Sequence, residues 1–201
     1  MIFVVDTSSA RTGLALIRPD GTVASEETHE SGRTLDLPGR FRAMTAGQTL
    51  TKIAVATGPG SFTGLRAGVS FGLGVAIGLA IPIVALKTLT LQAARTDMPA
   101  IAVAEAGRGR LYSLAPGADP RLSAPEDLPK DLPAVGWLRP ATESLLRSAG
   151  VDLVPDGKLR SFGAAASRLL ESASEVAYGS LRLEYMQALG SAFARNRWTR
   201  T

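Results

Sequence analysis

The chain has 201 residues, 45% hydrophobic and 20% charged, with 22 Lys and Arg against 18 Asp and Glu for a net charge of +4. This is the balance of a folded globular chain that tolerates an acidic partner without requiring one. The absence of cysteine excludes disulfides, thiolate metal sites and cysteine nucleophiles and fits a reducing cytoplasm, while the single histidine, His29, excludes a histidine-rich zinc or iron site and is the only histidine available to a Ser-His-Asp triad.

The N-terminus runs Met1-Ile2-Phe3-Val4-Val5-Asp6, without the basic region and long apolar stretch of a secretion signal. Residues 2–5 read as a buried strand, and 13–17 and 22–26 as two more across the turn Pro19-Asp20-Gly21, so the chain opens as a β-meander. A helix is predicted over 36–48, then a strand over 52–57 that runs into Gly58-Pro59-Gly60-Ser61. A long apolar helix from about Phe62 follows, then a strand over 81–86 and a short helix over 88–95 with Thr88 as its N-cap. The uncharged run from Ala67 to Leu86 is long enough for a membrane span, but its glycines and Pro82 favour a buried helix followed by a strand, and no membrane partner is expected.

After Asp97-Met98-Pro99 the pattern restarts with strands over 100–104 and 110–114 around Gly107-Arg108-Gly109. Residues 115–133 are Pro-rich and read as an extended connection, followed by a strand over 134–137 and helices over 142–149 and 162–174. These elements predict an α/β protein of two lobes packed on one another, 1–98 and a smaller 99–201.

Two segments carry candidate chemistry. Asp6-Thr7-Ser8 ends the first strand in a turn of small hydroxylated residues, which could offer N–H groups and hydroxyls to a phosphate with the aspartate near a magnesium ion, or could simply be a hairpin turn. Gly58-Pro59-Gly60-Ser61-Phe62-Thr63-Gly64-Leu65-Arg66 places three glycines at a strand-to-helix junction, which is either an anion site or a tight turn capped by Ser61 or Thr63; no lysine follows, so it is not a Walker A loop. From there small residues recur every four positions, at Gly64, Gly68, Gly72, Ala76 and Ala80, and predict a groove that another helix can approach closely; the chain's own sheet can cover one face of this all-apolar helix, and either a second protein or the chain's own helices must cover the other. Glu105, Arg108 and Arg110 read as an exposed turn, His29 as part of a solvated segment, and Arg195-Asn196-Arg197-Trp198 as either a frayed tail or an RNA-contacting one.

Asp6-Thr7-Ser8, the run Gly58 to Arg66, Pro82-Ile83-Val84 and Thr88-Leu89 together resemble the TsaB (YeaZ) family, over residues 1 to 95. The resemblance implies an actin-like (ASKHA/ribonuclease H-like) fold with a reduced second lobe. It implies a non-catalytic cytoplasmic subunit that pairs with a TsaD-type catalytic subunit, with a TsaE-type ATPase and tRNA joining the complex, to form N6-threonylcarbamoyladenosine at position 37 of tRNAs reading codons that begin with A. It further implies that the helix after the glycine motif lies at the subunit interface, through Gly58 to Arg66, Gly68, Gly72 and Ala76. On this reading Asp6, Thr7 and Ser8 form at most a vestigial phosphate site, the chain binds no cofactor tightly or metal, and ATP or ADP with magnesium acts at the level of the complex. The sequence departs from the family at Arg33-Thr34, where a His-Ser pair is usual, and at Glu105-Ala106-Gly107-Arg108, where an Asp-Ala-Arg run is usual. Two other readings stay open: a small actin-like ATPase or kinase that uses Asp6, and a homodimer formed through the same helix.

Overall fold

The computed structural model describes residues 1–31 and 35–184. Six strands form the larger sheet. β1 (Ile2–Asp6) pairs antiparallel with β2 (Arg11–Ile17), which pairs with β3 (Val23–Glu30) at one edge. On its other side β1 runs parallel to β4 (Lys52–Gly58), and β4 runs parallel to β5 (Ile83–Lys87). β1 and β4 are buried on both faces, which is why they read as unbroken apolar runs rather than as alternating ones.

Helices cover both faces. On one side α1 (Leu37–Thr45) and α2 (Phe62–Leu79) pack over Phe3, Val5, Leu14, Ile53 and Val55. On the other, α3 (Thr88–Ala93) and α5 (Phe162–Leu170) enclose Val4, Ala54, Val84, Leu86 and Trp137. The smaller sheet is built from β6 (Ile101–Gly107), β7 (Arg110–Leu114), β8 (Arg121–Ser123) and β9 (Ala134–Val135), in the order β8-β7-β6-β9. α4 (Pro140–Ser148) contributes Leu146 to the core on one face of this sheet. α3 joins the two lobes, with Leu91 in the core of the first and Leu89 in that of the second.

Local chemistry sets the helix starts. Asp36 accepts from the Gly39 N–H at 2.9 Å to cap α1, and Ser61 and Ser161 cap α2 and α5 in the same way. α2 ends on Ala80 in the left-handed region at φ 52°. By length and composition α2 could cross a membrane; here one side of it packs onto the sheet.

The structure corrects several expectations. Thr88 is not an N-cap: it lies inside α3, and its hydroxyl donates to Ser8 Oγ at 3.0 Å across the lobe. The connection over 115–133 contains β8, which the prolines concealed. The division after residue 98 separates the two sheets, but the chain then returns: α5 packs under β2 and β3, and β10 (Glu175–Val176) pairs antiparallel with β5 as the other edge of the larger sheet. Arg33, Thr34 and the arginines after Arg182 lie outside the described residues.

Candidate functional site

Asp6 and Gly58–Gly64 meet at the C-terminal ends of β1 and β4. The Asp6 side chain is 0% exposed; its Oδ1 accepts from the Ser8 N–H at 2.8 Å, and its Oδ2 has no hydrogen-bond partner. Burial pushes its pKa up, against the lowering effect of Ser8. The loop lies directly on the turn. Ser61 N–H donates to Ser8 O at 2.6 Å, and Thr7 Oγ1 donates to Gly64 O at 2.6 Å. A Cβ on Gly64 would collide with Thr7 O, and one on Gly60 with Ser8 O, so glycine is required there by the approach of two backbones. Asp6 and Ser8 are both closed to solvent, so a phosphate would have to open this contact to reach them. The arrangement does not fit a magnesium or phosphate held by Asp6 and Ser8 in this conformation.

The small-residue stripe of α2 is likewise taken up within the chain. Gly68 faces the Thr7 side chain, and Gly72 sits on Val55 and Ile53 of β4, with Val5 of β1 beside them. Ala76 and Leu65 are fully buried, and Gly58 and Pro59 of the loop are buried as well. The groove expected at Gly64, Gly68, Gly72 and Ala76 is therefore the seat of α2 on its own sheet, and these residues cannot also admit a partner helix. The sequence misled because small residues recur at helical spacing on two faces, and an all-apolar helix gives no polar side to tell them apart.

The second face is open. Thr63, Arg66, Ala67, Ser70, Gly74, Ile77 and Gly78 lie along it, and a Cβ on Gly74 or Gly78 would meet nothing within 4 Å. Ile77 is 54% exposed, and Phe62 and Leu79 at the two ends are 51% and 52% exposed. α1 flanks one side through an edge-on contact of Phe41 with Phe71, whose ring centroids are 5.5 Å apart. The segment over 177–184 flanks the other. Tyr178 Oη bonds to Ile81 O at 2.7 Å and to Ala76 O at 3.2 Å at the helix C-terminus, and Glu184 N–H donates to Thr57 O at 2.8 Å near its start. Sheet, α1 and this segment leave one long face of α2 uncovered among the described residues.

The other predicted groups have structural roles. Glu105 is not a bare turn residue: its carboxylate accepts from Arg139 N–H and Nη1, both at 2.9 Å, and from Thr142 Oγ1 at 2.6 Å, and so caps α4. His29 Nε2 lies 2.8 Å from Glu27 Oε2, which also accepts from Arg40 at 2.7 Å. Burial pushes the Glu27 carboxyl up, but the bonds to His29 and Arg40 outweigh it and hold its pKa below the ordinary value. A cavity of about 350 Å³ is lined by Thr7, Ser9, Thr12, Ser31 and Thr63 of the first lobe, with Arg139 of the second at its side. Among the described residues no three His, Cys, Asp or Glu side chains cluster as a metal site.

The family described as TsaD, tRNA N6-adenosine threonylcarbamoyltransferase, matches residues 42–119, which include β4, α2 and β5. The tRNA threonylcarbamoyladenosine biosynthesis protein TsaB of Bacillus subtilis (strain 168) is 35% identical over 121 residues, 56% of this chain and 53% of that protein. The chain resembles TsaB, also called YeaZ. The match spans about half the length of this curated relative. YeaZ from Pseudomonas aeruginosa superimposes with a TM-score of 0.66 at 19% identity, covering 92% of this chain and 98% of that one. A second structure, described as an uncharacterized protein with similarity to peptidase YeaZ from Pseudomonas aeruginosa, gives 0.68 at 18% identity over 92% and 99%. The fold is thus the actin-like α/β fold of YeaZ, with a small second lobe.

Proposed function

We propose that this chain is a non-catalytic subunit in the formation of N6-threonylcarbamoyladenosine at position 37 of tRNAs reading codons that begin with A. It pairs with a TsaD-type catalytic subunit through α2, and a TsaE-type ATPase and tRNA act through the assembled complex. The observation that carries this reading is the uncovered face of α2, apolar along most of its length, in a chain that resembles TsaB. The sealing of Asp6 supports a structural role for that carboxylate over the ATPase or kinase reading, since phosphoryl transfer needs a metal and a phosphate to reach it. Any ATP, ADP and magnesium then act at the level of the complex.

The test is the mass in solution by light scattering, for the chain alone and mixed with the TsaD-type subunit of the same cell. A one-to-one species is expected, and Ile77→Glu, at the centre of the open face, is expected to abolish it while leaving the thermal midpoint unchanged. Two species that remain separate, with and without ATP, would refute the reading.

A further inference from the structure

The chain leaves α5 through a turn at Glu171 and Ser172 and then crosses the edge of the larger sheet as a strap over residues 174–184. β10 pairs with Ile83 and Val84 of β5, and Tyr178 Oη bonds to Ala76 O and Ile81 O at the C-terminal end of α2. Two ion pairs flank these ties, Lys52 Nζ to Glu175 Oε1 at 2.7 Å and Lys87 Nζ to Glu184 Oε1 at 3.4 Å. At the far end Glu184 N–H donates to Thr57 O at 2.8 Å, and Glu184 O lies over Gly58, 2.8 Å from where a Cβ would stand. Yet no residue of the strap is buried, and of its apolar side chains Val176, Leu181 and Leu183 pack only partly against the core. The seat is of the opposite kind: Ile83 and Val84 are closed to solvent, and α5 just before the strap buries Phe162, Ala165 and Ala166. A segment held by partly exposed polar ties over a dry seat opens far more readily than the core beneath it.

We propose that residues 174–184 are a latch that opens as one unit while both lobes stay folded, and that its opening bares the edge of β5 and the Gly58 side of the glycine-rich loop. No one of its ties suffices alone. A two-residue ladder is far shorter than a strand that pairs independently, and the ion pairs are partly exposed and screened by salt. The ties hold only together and so release together. Closed, the latch denies other chains an apolar strand edge; open, it presents that edge and frees Thr57 O at the mouth of the loop.

The experiment is native-state hydrogen exchange of the full chain, resolved by amide and repeated in urea below the unfolding transition. The hydrogen-bonded amides of 175–184, Glu184 N–H among them, are expected to exchange about 100-fold faster than those of β1 and β4, with a much shallower dependence on urea because little surface is exposed. Tyr178→Phe should speed all of them together by about fivefold. Salt at about 1 M should speed them by about threefold through screening of the two lysine pairs, and the double variant Lys52→Met, Lys87→Met should lose that response. Strap amides that share the rate and urea slope of β4 would mean that the strap leaves only when the whole chain unfolds, which overturns the latch. A Glu184 amide left at its wild-type rate by Tyr178→Phe would mean two separate attachments, and overturns it equally.

Discussion

The seating of α2 predicts that one chemical change, made two residues apart on one helix, will have opposite signs. Glycine to alanine inside a helix is worth about 0.5–1 kcal/mol in backbone entropy. At Gly74 a Cβ meets nothing within 4 Å, so Gly74→Ala should collect that gain in full. For a chain of this size it corresponds to a rise in Tm of about 2–3 °C. At Gly72 the same methyl would run into Val55 Cγ1, with Ile53 Cγ2 at 3.2 Å and Val5 Cγ1 at 3.7 Å. Those neighbours are β-branched and have few rotamers to retreat into. Overpacking of this kind costs about 1–3 kcal/mol, which outweighs the helix gain and leaves a net loss near 1 kcal/mol and a fall in Tm of about 2–4 °C. Gly72→Leu adds three more carbons and should fold poorly or not at all. Urea denaturation of the two alanine variants beside wild type, at a concentration low enough to keep the chain monomeric, decides the matter. If Gly72→Ala proved as stabilising as Gly74→Ala, the stripe at 64, 68, 72 and 76 would not be seated on the sheet, and the assignment of the open face would fall with it.

Three further outcomes follow from groups already described. The raised pKa of buried Asp6 means that the native state holds its proton above the ordinary carboxylate value of 3.8, so native stability falls as pH rises from that value to the native pKa and is flat beyond it. Asp6→Asn, which can still accept from Ser8 N–H, should therefore show a stability advantage that grows across that window and vanishes at its acid end, read from urea midpoints between pH 3 and 8; a gap independent of pH would refute it. Glu105→Ala removes the cap of α4 and leaves Arg139 N–H without its acceptor, at a cost of about 1–2 kcal/mol in chemical denaturation. Tyr178→Phe frees the segment beside α2 at a cost of about 1 kcal/mol, and should show first as faster hydrogen exchange at the C-terminal end of α2 rather than in β1 or β4.

Much of the fold could be read directly from the residues. The apolar runs at β1 and β4, the turn at Pro19-Asp20-Gly21 and the glycine-rich junction before α2 each have one economical backbone solution, and the structure adopts it. Elements held only by tertiary contact were beyond reach. β10 is a two-residue strand without a hydrophobic pattern, and it exists because β5 offers an edge. The Thr88 hydroxyl was expected to cap its own helix, but Ser8, eighty residues earlier, is the stronger claimant. At the site, the stripe of small residues that the sequence offered to a partner is the side of α2 that lies on the chain's own sheet. Periodicity reveals that small residues repeat but not which repeat faces the sheet, whereas Ser70, Gly74 and Gly78 acquire meaning once Gly68 and Gly72 are seen against β1 and β4. Glu105 was judged from its place beside a turn, and nothing local could announce that α4 would begin on top of it.

The late return of α5 and β10 to the larger sheet also bears on how the chain is made. When β5 and α3 leave the ribosome, the face bearing Val4 and Leu86 has only α3 to cover it, because Phe162, Ala165 and Ala166 of α5 have not been synthesised. At about 5–20 residues per second the gap lasts roughly 4–15 s, long on the scale of helix and sheet formation. During that interval the nascent first lobe shows much of an apolar sheet face to the cell, and a premature stop before α5 leaves it so permanently. A fragment ending near residue 98 should accordingly be a client for chaperones and proteases rather than an independent domain.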